Sequence, residues 1–256
     1  MSSTRNPHPL SGQIALITGG GSGIGLGCAR ELVQDGATVM LAARNVERLE
    51  ASAAELRSIA EGGAQVLTVA CDVTNEESVQ NLIAQAAKEL GAIDVLVNNA
   101  GLGGTAQLHE MTDEQWSIVL DVTLNGTMRC TRAALNHMYP RGSGVIVNNA
   151  SVLGWRAQEG QAHYAAAKAG VMALTRCAAI EAGPRGVRIN AVSPSIAMHA
   201  NLAKVTSDEL LAELTQREAF GRFAEPWEIA NVIVFLASDY SSYMTGEVLS
   251  VSSQRA

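Results

Sequence analysis

The sequence predicts an α/β fold, a three-layer α/β/α sandwich in which a doubly wound parallel sheet lies between two layers of helices. Strand-like and helix-like segments alternate along the whole chain, which is typical of a parallel sheet with helices on both faces. Of the 256 residues, 47% are hydrophobic and 17% are charged, so a substantial core is available. No repeat, linker or low-complexity tract divides the chain. We therefore predict a flexible tail at residues 1–10 and a single domain over residues 11–256.

In the first half of the chain, short apolar runs predict strands, and the segments between them have helical apolar spacing. The helix after the second strand shows the pattern, because Leu49, Ala53, Leu56 and Ala60 share one face of it. The predicted strands are residues 13–17, 37–43, 65–70 and 93–98. The predicted helices are residues 26–35, 46–61 and 76–90.

The second half of the chain continues the alternation with longer helices. Thr112 is followed by two acidic residues, which marks a helix start, and Pro226 suits a first helical position. The predicted helices are residues 113–139, 162–182, 207–218 and 226–238. The predicted strands are residues 144–149, 187–192 and 247–251.

Charge and cysteine content exclude several classes of function. The formal net charge of −7 argues against general nucleic-acid binding. No apolar run approaches the length of a membrane span, and the first ten residues hold no apolar signal core, so we expect a cytoplasmic protein without a membrane partner. We predict no metal site, because no cysteine pair has metal-ligand spacing. We expect buried, reduced thiols at all four cysteines: Cys28, Cys71, Cys130 and Cys177.

A glycine-rich turn, Thr-Gly-Gly-Gly-Ser-Gly-Ile-Gly at residues 18–25, joins the first predicted strand to the first helix. In such a turn the backbone N–H groups and the helix dipole face one point, and glycine lets a pyrophosphate approach closely. Glycines also collect in ordinary turns, but the strand before this cluster and the helix after it favour dinucleotide binding. The spacing is G-x-x-x-G-x-G rather than G-x-G-x-x-G.

A second group of residues has the chemistry of proton transfer. Tyr164 and Lys168 are four residues apart in a predicted helix, so they share a face. An ammonium beside a phenol lowers the phenol pKa toward a range useful for proton transfer. Ser151 follows the strand at residues 144–149, where its hydroxyl is placed to hydrogen-bond a carbonyl or alcohol oxygen. Taken alone, a tyrosine and a lysine at this spacing are more often an exposed or interfacial pair.

Together these motifs resemble those of the short-chain dehydrogenase/reductase family. The resemblance spans residues 10–251 and includes Asp-Val at 72–73, Asn-Asn-Ala-Gly at 98–101, Val-Arg-Ile-Asn at 187–190 and Ser-Pro at 193–194. It implies a Rossmann-type doubly wound sheet. It also implies a nicotinamide-dependent oxidoreductase that moves hydride between a secondary alcohol and a ketone.

The resemblance implies roles for single residues. Ser151 orients the substrate oxygen, Tyr164 is the general acid and base, and Lys168 binds the nicotinamide ribose and lowers the pKa of Tyr164. Asp72 meets the adenine amine or forms an Asx turn, and Asn98 supports the sheet and lies along the cofactor. The implied cofactor-binding residues are Gly19, Gly21, Ser22, Gly23, Ile24, Gly25, Arg44, Asp72, Val73, Asn98, Ala100, Gly101, Tyr164, Lys168, Pro194, Ile196 and Ala197.

The end of the second strand favours NADP(H) over NAD(H). An acid there normally binds the ribose 2′-hydroxyl of NAD, whereas here Ala43 ends the strand and Arg44 follows. A guanidinium suits a 2′-phosphate, although an arginine at the start of a loop is often only a solvated charge. The glycine turn offers no second basic residue, since Ser22 occupies that place.

Three positions depart from the family pattern. Thr123 stands where the family has an asparagine that supports a proton-relay water, Ser195 replaces a glycine, and a threonine near the carboxamide is missing from residues 197–199. His199 there is either a ligand contact or an exposed loop residue. Thr123 leaves open a rival function, a catalytically weak nucleotide-binding sensor or scaffold, which the intact serine, tyrosine and lysine oppose.

Residues 196–223 match the segment that forms the substrate lid in the family. Their apolar side chains suit a bulky apolar substrate, although leucines at helical spacing also pack a helix onto the body. Arg156 lies near the pocket mouth and suits a carboxylate, a coenzyme A phosphate or a surface salt bridge. The predicted pocket residues are Leu153, Trp155, Met198 and Leu202.

The expected substrate is a small apolar carbonyl or alcohol, either a 3-oxoacyl thioester or an alicyclic or steroid-like compound. The segments 148–155, 164–176 and 193–197 are similar to those of actinobacterial members linked to steroid-ring breakdown. The resemblance also implies a homotetramer that assembles through residues 113–139, 162–182 and 247–251.

Overall fold

A computed structural model describes residues 8–197 and 208–254 and contains a seven-stranded sheet. All strand pairs are parallel, in the order β3-β2-β1-β4-β5-β6-β7. The predicted doubly wound parallel sheet is therefore confirmed. The strands are β1 (Ile14–Thr18), β2 (Thr38–Ala43), β3 (Val66–Ala70), β4 (Val95–Asn98), β5 (Gly144–Asn149), β6 (Val187–Pro194) and β7 (Val248–Val251).

Helices cover both faces of the sheet and give it two separate cores. Leu16 and Ile17 are adjacent in β1 and point to opposite faces, as the two-residue period of a strand requires. Ile17 packs in the core with α1, α2 and α8, whereas Leu16 packs with α3, α5 and α6. The helices are α1 (Gly23–Gln34), α2 (Val46–Arg57), α3 (Glu76–Leu90), α4 (Asp113–Leu120), α5 (Gly126–Met138), α6 (Ala162–Ala182), α7 (Asp208–Gln216) and α8 (Pro226–Ala237).

The strand order reverses between β1 and β4, which is where doubly wound folds form their ligand crevice. The register sets the carboxyl ends of three strands level with one another: Thr18 pairs with Asn98, and Asn98 pairs with Asn148. The loops that follow β1, β4 and β5 therefore begin side by side at the same edge of the sheet. This edge carries the candidate site.

The long helix predicted at residues 113–139 is interrupted. One wide π turn, Asp121–Asn125, separates α4 from α5, and the N–H of Gly126 donates to the carbonyl of Asp121 five residues earlier. Just after this turn, the Thr127 hydroxyl of α5 donates to the Thr123 carbonyl at 2.8 Å. The π turn separates two differently packed helices, since α5 packs on β4 and β5 and α4 packs on α6, and π turns are frequent at functional sites.

Two expectations about single residues are wrong. Leu10 is buried in the core and its N–H donates to Asp35 Oδ2 at 2.6 Å, so the packed domain begins before residue 11. Cys177 is exposed on α6, whereas Cys28, Cys71 and Cys130 are buried as expected. Among the described residues, no helix combines the length and the apolar character needed to cross a bilayer.

Candidate active site

The structure brings Ser151, Tyr164 and Lys168 together at the end of β5. Ser151 follows β5 and caps a short helical turn. Its Oγ accepts a hydrogen bond from the Leu153 N–H at 3.2 Å. Tyr164 and Lys168 lie on the first two turns of α6, with the lysine Nζ 5.6 Å from the centroid of the tyrosine ring. Ser151 also hydrogen-bonds Tyr164. A hydroxyl, a phenol and an amine are thus grouped in one part of the molecule.

Burial dominates the electrostatics of this group. The Lys168 side chain is buried, which lowers its pKa to about 8, and Nζ donates to the Asn149 carbonyl at 2.5 Å. Burial raises the pKa of Tyr164, and the hydrogen bond with Ser151 offsets only part of that rise. The expected net lowering of the Tyr164 pKa by Lys168 is not found. In the protein without ligands, burial is the main cause of the raised pKa of Tyr164.

The glycine turn after β1 has the shape of an anion cradle. Gly19 and Gly23 adopt left-handed conformations, with φ of +65° and +55°. A Cβ at Gly25 would lie against the Gly19 carbonyl and 2.5 Å from Asn99 Nδ2, so the turn closes only with glycine there. Gly21, Ser22 and Ile24 lie within the same turn and at the start of α1. The backbone N–H groups at the N-terminus of α1 fit a pyrophosphate.

Asp72 follows β3 and forms an Asx turn, which is one of the two expectations for this residue. Its Oδ1 accepts hydrogen bonds from the Thr74 N–H at 3.0 Å and the Thr74 hydroxyl at 2.7 Å. The Thr74 N–H contributes most to a lowered pKa of Asp72, and Arg44 and Arg129 add a smaller effect. The adjacent Val73 packs against the π-turn end of α5 rather than facing open space.

Asn98 lies inside the sheet and supports it. Its Nδ2 donates to Thr131 Oγ1 at 3.0 Å and to Asn148 Oδ1 at 2.9 Å, which ties β4 to α5 and β5. The next residues reach the site itself. The Ala100 N–H donates to the Thr18 hydroxyl at 3.1 Å. A Cβ at Gly101 would lie 3.7 Å from Lys168 Nζ, so this glycine borders the lysine directly.

Sequence reasoning missed two asparagines, Asn99 and Asn149, that connect the glycine turn with the lysine. Asn99 Nδ2 donates to the carbonyls of Thr18 at 3.2 Å and Gly19 at 3.1 Å. Asn149 Nδ2 donates to Asn99 Oδ1 at 3.0 Å. The available signal was a pair of adjacent asparagines at the end of each of two strands. Only the register shows that these strands are neighbours.

A second basic residue near the glycine turn was also missed. Arg44 is exposed directly after β2, as expected from the sequence. Arg48 lies in the first turn of α2, and its Cγ would be 3.8 Å from a Cβ at Gly21. Asn45 caps α2 by accepting a hydrogen bond from the Arg48 N–H at 2.8 Å. Arg48 therefore lies beside the turn, and Arg44 is the residue that directly follows β2.

Thr123, in the π turn, binds the loop that follows β4. Its hydroxyl donates to the Leu102 carbonyl at 3.2 Å and accepts from the Leu102 N–H at 3.0 Å. The side chain is buried, and both hydrogen-bonding functions of its hydroxyl are used. The threonine thus anchors the backbone beside Gly101.

Two loops near Tyr164 bind each other. Gln161 Nε2 donates to the Gly104 carbonyl at 2.8 Å, and the Ala106 N–H donates to the Gly160 carbonyl at 3.0 Å. A Cβ at Gly103 would meet only the Tyr164 ring, at 3.8 Å. Gly103 therefore leaves the ring face open.

Two of the four predicted pocket residues lie in the described part of the chain. Leu153 is half-buried, Trp155 is half-exposed, and Arg156 donates to Gln254 Oε1 at 2.7 Å rather than to a carboxylate of the described residues. Met198, His199 and Leu202 lie outside the described residues.

After β6, which ends at Pro194, the Ala224 N–H donates to the Ile196 carbonyl at 3.0 Å, and Ala197 is buried. Ile196, the first residue of the predicted lid segment, is thereby hydrogen-bonded to Ala224, the residue that directly follows the segment. In the described part of the chain, no cluster of three His, Cys, Asp or Glu side chains is arranged to hold a metal ion.

Comparison with known proteins gives consistent matches over nearly the whole chain. A family model described as enoyl-(acyl carrier protein) reductase matches residues 19–253. A solved short chain dehydrogenase from Mycobacterium smegmatis is 53% identical, with a TM-score of 0.86, and the match covers 100% of this chain and 98% of the other.

Two curated relatives have names that describe a substrate. One, from Mycobacterium tuberculosis, is (5R,7aS)-5-hydroxy-7a-methyl-1-oxo-2,3,5,6,7,7a-hexahydro-1H-indene-carboxyl-CoA reductase; it is 57% identical over 96% of this chain and 94% of that protein. The other is cis-4-hydroxycyclohexanecarboxylate dehydrogenase from Sinomonas cyclohexanicum, 41% identical over 93% of this chain and 94% of that protein.

Proposed function

The chain belongs to the short-chain dehydrogenase/reductase family, and we propose that it interconverts a ring alcohol and a ring ketone on an alicyclic carboxylic acid or its coenzyme A thioester. It is an oxidoreductase that acts on alcohol and ketone groups. The names of the two curated relatives share a hydroxyl group on a carbon ring and a carboxyl or carboxyl-CoA group, which supports this substrate class over a linear 3-oxoacyl thioester.

The grouping of Ser151, Tyr164 and Lys168 is the observation that carries the reaction type. Tyr164 donates a proton to the oxygen of the ketone as it becomes an alkoxide, and removes that proton in the reverse direction. Ser151, which hydrogen-bonds Tyr164, holds the same oxygen. A bound nicotinamide cofactor supplies or accepts the hydride. The glycine turn and the start of α1 hold its pyrophosphate.

Lys168 has two roles in this proposal. Its amine holds the nicotinamide ribose, and its positive charge supports the phenolate form of Tyr164. In the protein without ligands, burial keeps the pKa of Lys168 at about 8 and raises that of Tyr164. A pKa of about 8 leaves the amine mostly charged at neutral pH and able to exchange a proton slightly above it.

The direct test of this assignment is Tyr164→Phe, which removes the transferable proton and keeps the ring. We expect turnover to fall by at least about a hundredfold, in line with the usual contribution of general acid–base catalysis, while the dissociation constant of the nucleotide stays within about threefold. Oxidation of NADPH and NADH would be followed with cyclohexanone-carboxylate, its CoA thioester and a 3-oxoacyl thioester.

The outcomes separate the candidate functions. Near wild-type turnover by Tyr164→Phe would contradict the role of the tyrosine. A preference for the linear thioester would contradict the alicyclic substrate class. A wild-type protein that binds nucleotide but reduces none of the three substrates would favour the rival function of a nucleotide-binding sensor or scaffold.

The cofactor that we propose is NADP(H). Ala43 ends β2 without an acid, Arg44 follows it directly, and Arg48 lies beside the glycine turn. Guanidinium groups at these positions suit a 2′-phosphate.

We expect Arg44→Ala to weaken NADPH binding about ten- to a hundredfold, because a hydrogen bond to a charged group contributes about 1.5–3 kcal/mol. NADH binding should be unchanged. Titration of both nucleotides measures this, with the exposed Arg132→Ala on α5 as the control. Equal weakening of both nucleotides would contradict the NADP(H) preference.

We also propose a homotetramer that works in the cytoplasm. Trp116 and Ile118 on α4 and Ile180 on α6 are large apolar side chains exposed on two of the elements expected to form interfaces. Light scattering coupled to size-exclusion chromatography would measure the mass, and a monomer at micromolar concentration would contradict the tetramer.

A further inference from the structure

We propose that Asn149 is a positioning residue that couples the cofactor-binding glycine turn to Lys168. The inference rests on the proposed function, because it assumes that the turn holds the nucleotide and that the lysine supports Tyr164. Neither the family motifs nor the predicted site residues include Asn149. Its position at the last residue of β5 places it between the two parts of the site.

A short chain of hydrogen bonds carries the coupling. Lys168 Nζ donates to the Asn149 carbonyl at 2.5 Å. The side chain of Asn149 donates to Asn99 Oδ1 at 3.0 Å, and Asn99 donates in turn to the carbonyls of Thr18 and Gly19. A displacement of the glycine turn is therefore transmitted through the side chains of Asn99 and Asn149 to the Asn149 carbonyl, which holds the lysine.

The hydrogen-bond partners fix the orientation of both amides. Asn99 faces two carbonyl oxygens, so its Nδ2 must point to the glycine turn and its Oδ1 to Asn149. Asn149 must then present Nδ2 to Asn99, which directs its own Oδ1 elsewhere. That Oδ1 is buried and has no hydrogen-bond partner among the described residues. A buried acceptor of this kind is costly, and it fits a hydroxyl donor of a bound nucleotide.

The neighbouring Asn148 provides a matched comparison. It lies one residue earlier in β5, so its side chain points to the opposite face of the sheet. There it accepts from Asn98 at 2.9 Å and donates to Thr175 Oγ1 at 2.9 Å. Asn148 is fully buried, and these side-chain hydrogen bonds join it to Asn98 and Thr175 rather than to the glycine turn or Lys168. Its loss should affect stability alone.

The experiment compares Asn149→Leu, which keeps the size and removes the donor and acceptor, with Asn148→Ala. Asn149→Ala is the second variant in case the leucine does not fold. Each protein is titrated with NADPH without substrate, and the pH profile of kcat is measured with the best ketone.

For Asn149→Leu we expect a dissociation constant of NADPH raised at least about fivefold, and a pKa of the kcat profile displaced by at least about half a unit. Asn148→Ala should lower only the melting temperature.

Three results would overturn the inference. An unchanged dissociation constant together with an unchanged pH profile in both Asn149 variants contradicts the coupling. A loss of stability alone, matching that of Asn148→Ala, assigns Asn149 an ordinary structural role. A wild-type protein that binds neither NADPH nor NADH contradicts the proposed function, and the inference with it.

Discussion

Gly103 lies directly beside the ring of Tyr164, the residue that we propose as the general acid and base. A Cβ at this position would lie 3.8 and 3.9 Å from two ring carbons and would meet nothing else within 4 Å. The glycine is exposed and does not have a positive φ, so a larger side chain is compatible with the backbone. A side chain larger than alanine would add volume beside these two ring carbons, where we propose that the substrate binds.

We therefore expect the series Gly103→Ala, Gly103→Val and Gly103→Leu to lose activity on bicyclic ketones in steps. Alanine should change kcat/KM by less than about threefold, since its Cβ makes an ordinary contact, and leucine should lower it about tenfold or more, equivalent to about 1.4 kcal/mol. Activity on small acyclic ketones should persist. Equal losses for all ketones would show that Gly103 does not select by size.

At the scale of elements, the π turn between α4 and α5 determines what Thr123 does. The turn directs the Thr123 hydroxyl onto the backbone of Leu102, where it both donates and accepts. The threonine therefore holds the loop that carries Gly101 and Gly103 in place. These hydrogen bonds give Thr123 a structural role at the position where the family pattern has asparagine. The residues that we propose as catalytic are all present.

We expect Thr123→Asn to leave turnover within about threefold of wild type at saturating NADPH and substrate. Thr123→Val, which keeps the shape and removes the hydroxyl, should lower the free energy of unfolding by about 1–3 kcal/mol, because two backbone groups of Leu102 lose their partner. A tenfold rise in turnover for Thr123→Asn would show instead that the natural chain has a broken proton relay, and would strengthen the sensor function.

At the scale of the whole molecule, the burial of Lys168 lowers the free energy of unfolding. Burial lowers its pKa from 10.5 to about 8, so the folded state disfavours the charged form. Below pH 8 the amine is protonated in both states and the full penalty applies. Between pH 8 and 10.5 Lys168 binds more protons in the unfolded chain than in the folded one, so its contribution to the free energy of unfolding rises with pH.

We expect Lys168→Met to abolish turnover and raise the free energy of unfolding at pH 7 by on the order of 1–3 kcal/mol. The gain should shrink as the pH rises from 8 to 10.5. Denaturant unfolding at a series of pH values measures it, with the exposed Lys88→Met on α3 as the control. A less stable Lys168→Met protein at pH 7 would show that the bond to the Asn149 carbonyl outweighs the burial.

The sequence by itself determined the fold class and the family. Short apolar runs predict strands and 3.6-residue apolar spacing predicts helices, and both patterns depend only on residues that are neighbours in the chain. For this reason α3, α6 and β5 begin and end where the pattern predicted. The pairing of Tyr164 with Lys168 was equally local, because a four-residue spacing in a helix fixes a shared face. Their roles as site residues remain predictions.

Only the tertiary structure decided how these local pieces meet. The parallel register of β1, β4 and β5 brings Asn99 and Asn149 together and aligns the glycine turn with Lys168. Burial reverses the expected direction of the Tyr164 pKa, and packing places Leu10 in the core. Each of these depends on contacts between residues distant in the chain, and burial is a property of the assembled layers rather than of any segment.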